Sequence, residues 1–154
     1  MASPFHVQEA YEIGGLFVLL EQAYNEAGYN TQFSQFRRDL QKSHGAYFRS
    51  QAGPSGEAWR PLAPSTIKAK GHSRILFRTG RLEKSLKGDS SDSEYAINDQ
   101  GRGMHWGTSV PYSVFHQRGG GRLPRREHIG ATTTQVDALV EKIANAAVNK
   151  MEKA

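Results

Sequence analysis

The sequence predicts an α+β domain in which a small antiparallel sheet packs against two helices from the amino-terminal third and one long amphipathic helix at the carboxyl end. Three observations predict it. Helical spacing of apolar residues occupies both ends of the 154-residue chain. Between about residues 52 and 130 that spacing vanishes, and Gly, Pro, Ser and Asp punctuate short segments. Two of those segments have the length and composition of paired strands.

After a short extended stretch at 5–9, the pair Gly14 and Gly15 opens a helix over about 14–28. Leu16, Leu19, Leu20, Ala23, Tyr24 and Ala27 share one of its faces, and Gly28 suits its end. A second helix is expected over about 31–51, with Asn30 or Thr31 as cap. Phe33, Phe36, Leu40, Tyr47 and Phe48 point inward from it, and Arg37, Arg38, Lys42 and Arg49 lie on its other face. Pro64 suits the first position of a single helical turn running to Lys70. Residues 94–98 and 104–108 read as strands joined through Asp99, Gln100 and Gly101, while 87–93 reads as a loop or a further short strand. The closing helix, about 132–152, carries Val136, Leu139, Val140, Ile143, Ala144, Ala147, Val148 and Met151 at steps of three and four. Thr132 and Gln135 have the spacing of a capping box, and the apolar stripe is expected to lie on the sheet.

Composition bounds the function. One domain of residues 1–154 is expected, long enough to bury a sizeable core. The hydrophobic fraction of 37% and charged fraction of 23% are those of an ordinary soluble protein, and the 16 glycines follow no period, which excludes a collagen-like fibre. With no cysteine, disulfides, thiolate metal sites and cysteine nucleophiles are absent, as a reducing compartment permits. The strongest apolar run, Leu16 to Leu20, is too short to span a membrane and has no basic segment before it, so neither a leader nor a membrane helix is expected. A net charge of +5 and a pI near 9.6 favour nucleic acid or acidic protein surfaces as neighbours.

Catalytic patterns are weak. Ser65, Thr66, Ile67 and Lys68 match the Ser-x-x-Lys motif of penicillin-recognising enzymes, but the companion-like segments 91–93 and 78–80 stand in the wrong order. A helix start accounts for Ser65. The six histidines lack metal-helix spacing, and neither the Gly101-x-Gly103 pair nor the run 119–121 has the strand and helix of a phosphate loop. No cofactor and no enzymatic activity are expected.

Two basic clusters stand out. Arg74, Arg78, Arg81, Lys84 and Lys87 recur every three or four residues, opposed only by Glu83, and would form a basic stripe on a short helix. Arg118, Arg122, Arg125 and Arg126 form the second. They suit either a solvated face or ion pairs between subunits, or the rim of a DNA channel.

Four turn-rich blocks follow in fixed order. The first holds Pro54, Gly56, Trp59, Pro61 and Leu62; the second Leu76, Thr79, Gly80, Leu82 and Ser85; the third Tyr112, His116, Gln117, Gly119 and Gly120. In the fourth, Pro124, an arginine and Gly130 remain of a Pro-Ala-Arg-Pro-Phe-Leu-Gly pattern whose Pro-Phe-Leu part is replaced here by Glu127, His128 and Ile129, the first two polar. In order and spacing these blocks resemble the phage virion morphogenesis family, the tail completion or head–tail joining proteins of Mu-like and related tailed phages.

The resemblance implies a structural virion protein without catalysis, made in the bacterial host cytoplasm and placed in the neck or tail as a ring subunit. It implies partners of three kinds: copies of itself in a six-fold ring, neighbouring neck and tail proteins (connector or stopper, tail terminator or tube), and DNA in the channel, with no membrane. The candidate contact residues are Trp59, Pro61, Leu62, Thr79, Gly80, Arg81, Tyr112, His116, Gln117, Gly119, Gly120, Pro124 and Arg125, with Trp59 equally suited to a core position. Arg74, Arg78, Lys84, Lys87, Arg118, Arg122 and Arg126 are the candidates for DNA or ion-pair contacts. A basic DNA-binding accessory protein is the alternative reading.

Overall fold

The computed structural model describes residues 28–153. The helix expected over about 14–28 falls on residues outside that range, apart from Gly28. The described chain runs α1 (Asn30–Ser50), α2 (Pro64–Lys70), α3 (Arg81–Lys87), β1 (Ser93–Asn98), β2 (Gly103–Thr108), α4 (Ser113–Arg118) and α5 (Thr133–Met151), an α+β arrangement as the sequence predicts. No helix among the described residues is long and apolar enough to cross a membrane.

Helix α1 starts at Asn30, and neither Asn30 nor Thr31 caps it: Tyr29 takes the cap position, and its side chain does not cap the first turn. Tertiary contact substitutes for the cap. The amide of Tyr29 donates to the carbonyl of Gly101 at 2.8 Å, and Gly28 lies so close to Gly101 that a Cβ on the latter would meet its Cα at 2.8 Å. That approach, with Gly101 at φ +87°, is open only to glycine. At the other end Gln51 turns the chain in the left-handed region, where its amide bonds the carbonyl of Tyr47.

The two strands pair antiparallel through the turn Asp99–Gly101, with Tyr95 opposite Trp106 and Ile97 opposite Met104. Residues 88–92 form a turn after α3 and not a third strand. Arg37, expected to face outward, lies over the Tyr95 ring at 4.1 Å, so the hairpin's aromatic pair gives its guanidinium a platform and draws it inward.

The main core gathers Tyr47 and Phe48 of α1, Trp59, Ile75, Leu82 and Leu86 of α3, and Val110. Phe48 and Trp59 meet edge to face at 5.4 Å. Leu62, Leu76 and Ile129 close its edges, so residues of the first, second and fourth blocks share one apolar centre. Phe36, expected inward, is only half-buried at the side of α1.

Helix α5 begins at the expected Thr132 cap with a complete capping box. Its stripe does not lie on the sheet. It packs along α1, where Leu139, Ile143, Ala146 and Ala147 meet Tyr29 and Phe33, and only Ile97 and Met104 of the hairpin join them. A two-stranded ribbon offers too little area to cover a 19-residue helix, and the long α1 offers more. Val136, Val140 and Val148 are left exposed on the far side of the stripe.

Trp59 is 5% exposed and its indole N–H donates to the carbonyl of Glu127 at 2.8 Å. Replacing Trp59 with Ala should therefore lower unfolding stability by about 3–5 kcal/mol in a denaturant titration. A variant with the wild-type midpoint would show that this contact does not hold the core.

Candidate assembly site

The middle of the chain has little ladder to satisfy its backbone, and side chains take over that task. The carboxamide of Gln117 accepts from the amides of His128 at 2.9 Å and Ile129 at 3.1 Å, and donates to the carbonyl of Ile129 at 2.9 Å. The guanidinium of Arg126 donates to the carbonyl of Arg60 at 3.0 and 2.8 Å and to that of Pro61 at 3.3 Å, while its amide bonds the carbonyl of His116 at 2.8 Å. With the Trp59 to Glu127 bond, these tie the first, third and fourth blocks together.

The second block joins through Ser85, whose fully buried hydroxyl bonds Leu82 at 2.8 Å and Thr108 at 2.7 Å and whose carbonyl accepts from Ser93 at 2.6 Å. These bonds tie the second block to the hairpin, and Leu82 and Leu76 join it to Trp59, Leu62 and Ile129 in the main core, so the four blocks form one scaffold.

Two buried histidines fill the seam. The carbonyl of Arg126 can only accept, so Nδ1 of His128 carries the proton at 2.8 Å and Nε2 accepts from the Ser113 hydroxyl at 2.9 Å. His44 repeats the pattern, donating from Nδ1 to Leu40 and accepting at Nε2 from the amide of Gly130 at 3.4 Å. Burial pushes His44 down, opposed by its Leu40 bond, and pushes His128 down to about 4, opposed by the Arg126 carbonyl and aided by His116 and His44.

Sequence reading did not single out the Ser113 and His128 pair, since the two are 15 positions apart with no motif between them. The pair sits inside the protein, at 4% and 0% exposure, with no open side for a substrate. Ser65, by contrast, is exposed on α2. Among the described residues no group of three or more His, Cys, Asp or Glu is placed to hold a metal.

The predicted contact residues divide between scaffold and surface. Trp59, Gly80 and Arg126 are buried, and Leu62, His116, Gln117, Gly119 and Pro124 are half-buried. Arg126 is a correction to the DNA or ion-pair role expected of it, because every bond of its guanidinium runs to a backbone carbonyl inside the protein. His116 Nδ1 is buried without a partner among the described residues, and the ring meets Tyr112 edge-on at 6.3 Å. The close approach at Gly119 is to the protein's own chain, where a Cβ would meet the amide of Arg125 at 2.7 Å.

Pro61, Thr79, Arg81, Tyr112, Gly120 and Arg125 are exposed. So are Val114 and Phe115, which the sequence reading passed over; Phe115 is 63% exposed. Position within the third block was the only available signal, because α4 is too short for its outward face to show as a period.

The first basic cluster is not a single stripe. Helix α3 begins at Arg81, leaving Arg74 and Arg78 in the turns before it. Two acids besides Glu83 oppose it. Arg81 holds Asp92 in a two-point contact at 2.7 and 2.8 Å, which keeps that carboxyl below its usual range, and Lys87 pairs with Asp89 at 3.8 Å. Arg74 pairs with Glu83 at 3.5 Å and lies over Phe77 at 3.6 Å. Lys70, which the sequence did not mark, joins Arg74 and Arg78: burial first, then the charges of Arg126, Arg78 and Arg74, push its ammonium down. Lys84, Arg118 and Arg122 are exposed, without an ion pair to any described residue, and Arg125 pairs with Glu127 at 3.5 Å.

Two outcomes follow for the seam. Because folded His128 binds its proton near pH 4 and the unfolded chain near 6.5, its contribution is fully present above pH 6.5 and is lost as pH falls toward 4. Titration of His128 should remove about 3 kcal/mol of stability over that window, seen in denaturant titrations as a loss smaller by that amount in His128→Gln than in the wild type. An equal loss in both proteins would contradict the assignment. Gln117→Ala should cost about 1–3 kcal/mol by leaving buried amides unpaired, with faster hydrogen exchange at residues 128–129; unchanged exchange there would count against the clamp.

Among known proteins, the model of the phage virion morphogenesis family matches residues 18–148. No curated protein and no solved structure matches the chain. The matched span takes in all four blocks, α1 and nearly all of α5, and on that basis the chain belongs to the phage virion morphogenesis family.

Proposed function

We propose that the protein is a tail completion or head–tail joining component of a tailed phage, a ring subunit of the neck. Family membership supports a structural role in building a phage virion. The observation that carries the finer reading is the exposed group Tyr112, Val114 and Phe115, held on a rigid motif scaffold and followed by Arg118 and Arg122. Exposed apolar residues grouped together beside charged ones are the pattern of a surface that another protein covers.

On this reading the ring is six-fold, to match a tail, and sits between connector or stopper and tail terminator or tube. The net charge of +5 suits a body placed around DNA and acidic channel proteins. Each head-to-tail contact between small subunits is too small to hold a dimer, so the ring forms on its neighbours as template. The subunit performs no chemistry: it supplies surface and position. It is made in the host cytoplasm and ends in the virion.

A DNA-binding accessory role draws its support from the Lys70, Arg74 and Arg78 cluster. It requires DNA affinity that falls steeply with salt.

Deleting the gene should leave DNA-filled heads and assembled tails that fail to join, visible by electron microscopy of lysates. Normal infectious particles, or empty heads from a packaging block, would overturn the neck assignment.

A further inference from the structure

Two apolar patches lie open on this chain with opposite charge beside them. The first is Tyr112, Val114 and Phe115 at α4, followed by the exposed Arg118 and Arg122, neither of them ion-paired with a described residue. The second is the outer edge of α5, where Val136, Val140 and Val148 are exposed, Val140 at 59%. Asp137 and Glu141 follow Val136 and Val140 in sequence and are exposed, so at helical spacing they line the strip beside the valines. They too have no ion pair with a described residue.

We propose that the Phe115 patch of one copy docks on the valine edge of α5 of a second copy, head to tail. The inference rests on the ring reading above and names the surfaces that would close it. Apolar centres meet, and the arginines beside one face the carboxylates beside the other. Either patch paired with itself would set Arg118 and Arg122 against their own kind, or Asp137 and Glu141 against theirs, which disfavours a two-fold dimer. A contact between two different patches leaves one of each free on every pair, so it propagates into a ring or filament. The groove between α1 and α5, over Phe36 and Leu139, mixes Asp39 with Lys42 and Lys142 and gives a basic patch no such preference.

The chain has no cysteine, so introduced thiols report the contact without background. Val114→Cys and Val140→Cys, combined in one chain, should give a ladder of disulfide-linked oligomers under mild oxidation, either in concentrated purified protein or in particles from complemented infections. Each single variant should stay monomeric. Arg118→Glu or Glu141→Arg added to the double-cysteine chain should each abolish the ladder, and the two together should restore it. Circular dichroism and melting curves matching wild type establish that the variants fold.

Dimers from one single-cysteine variant, or no intermolecular product from the double variant in both preparations, would overturn the proposal. A ladder from the charge-reversed chains equal to that of the parent would also overturn it. A ladder in purified protein with the chain absent from particles would keep the contact and remove the neck role.

Discussion

The bond from the Trp59 indole to the carbonyl of Glu127 joins positions 68 residues apart and closes the loop-rich middle of the chain over the main core. Between them the chain forms three short helices and one two-stranded hairpin. Such a stretch cannot satisfy its backbone by ladder bonds alone, and each buried amide or carbonyl left over costs about 1–3 kcal/mol. Indole, guanidinium, carboxamide and imidazole groups answer that need at Trp59, Arg126, Gln117 and His128. They are therefore fixed in identity: an apolar residue of similar size fills the space and leaves the backbone unpaired.

That constraint separates what the sequence makes legible from what it hides. Long-period features are readable, because α1, α5 with its Thr132 capping box, the Pro64 helix and the hairpin each follow from local pattern. What α5 packs against is not local. Its stripe fits any apolar surface, and the choice of α1 over the sheet depends on area that only the assembled fold reveals. The outward rotation of Val136 and Val140 follows from the same choice.

The candidate site was legible as a set of blocks and illegible as a surface. Trp59 and Gln117 stand in conspicuous motifs, yet both face inward and serve the scaffold, and Arg126 does so despite its charge. Phe115, in the same block as Gln117, faces outward. Composition cannot tell the two directions apart, because a six-residue helix such as α4 shows less than two full turns of period. Charge was similarly misleading. The run from Arg74 to Lys87 is partly neutralised by Glu83, Asp89 and Asp92, two of which lie beyond the helix that carries the bases.

A rigid scaffold with an apolar, arginine-flanked patch at one place and an acid-flanked valine edge at another is suited to repetition around an axis. The most direct measurement is a density map of the intact virion neck at a resolution that shows side chains. A ring of copies of this chain is expected at the junction of head and tail, with Phe115 of each seated against Val140 of the next. A neck without this chain, or a ring in which Phe115 and Val140 both face solvent, would contradict it.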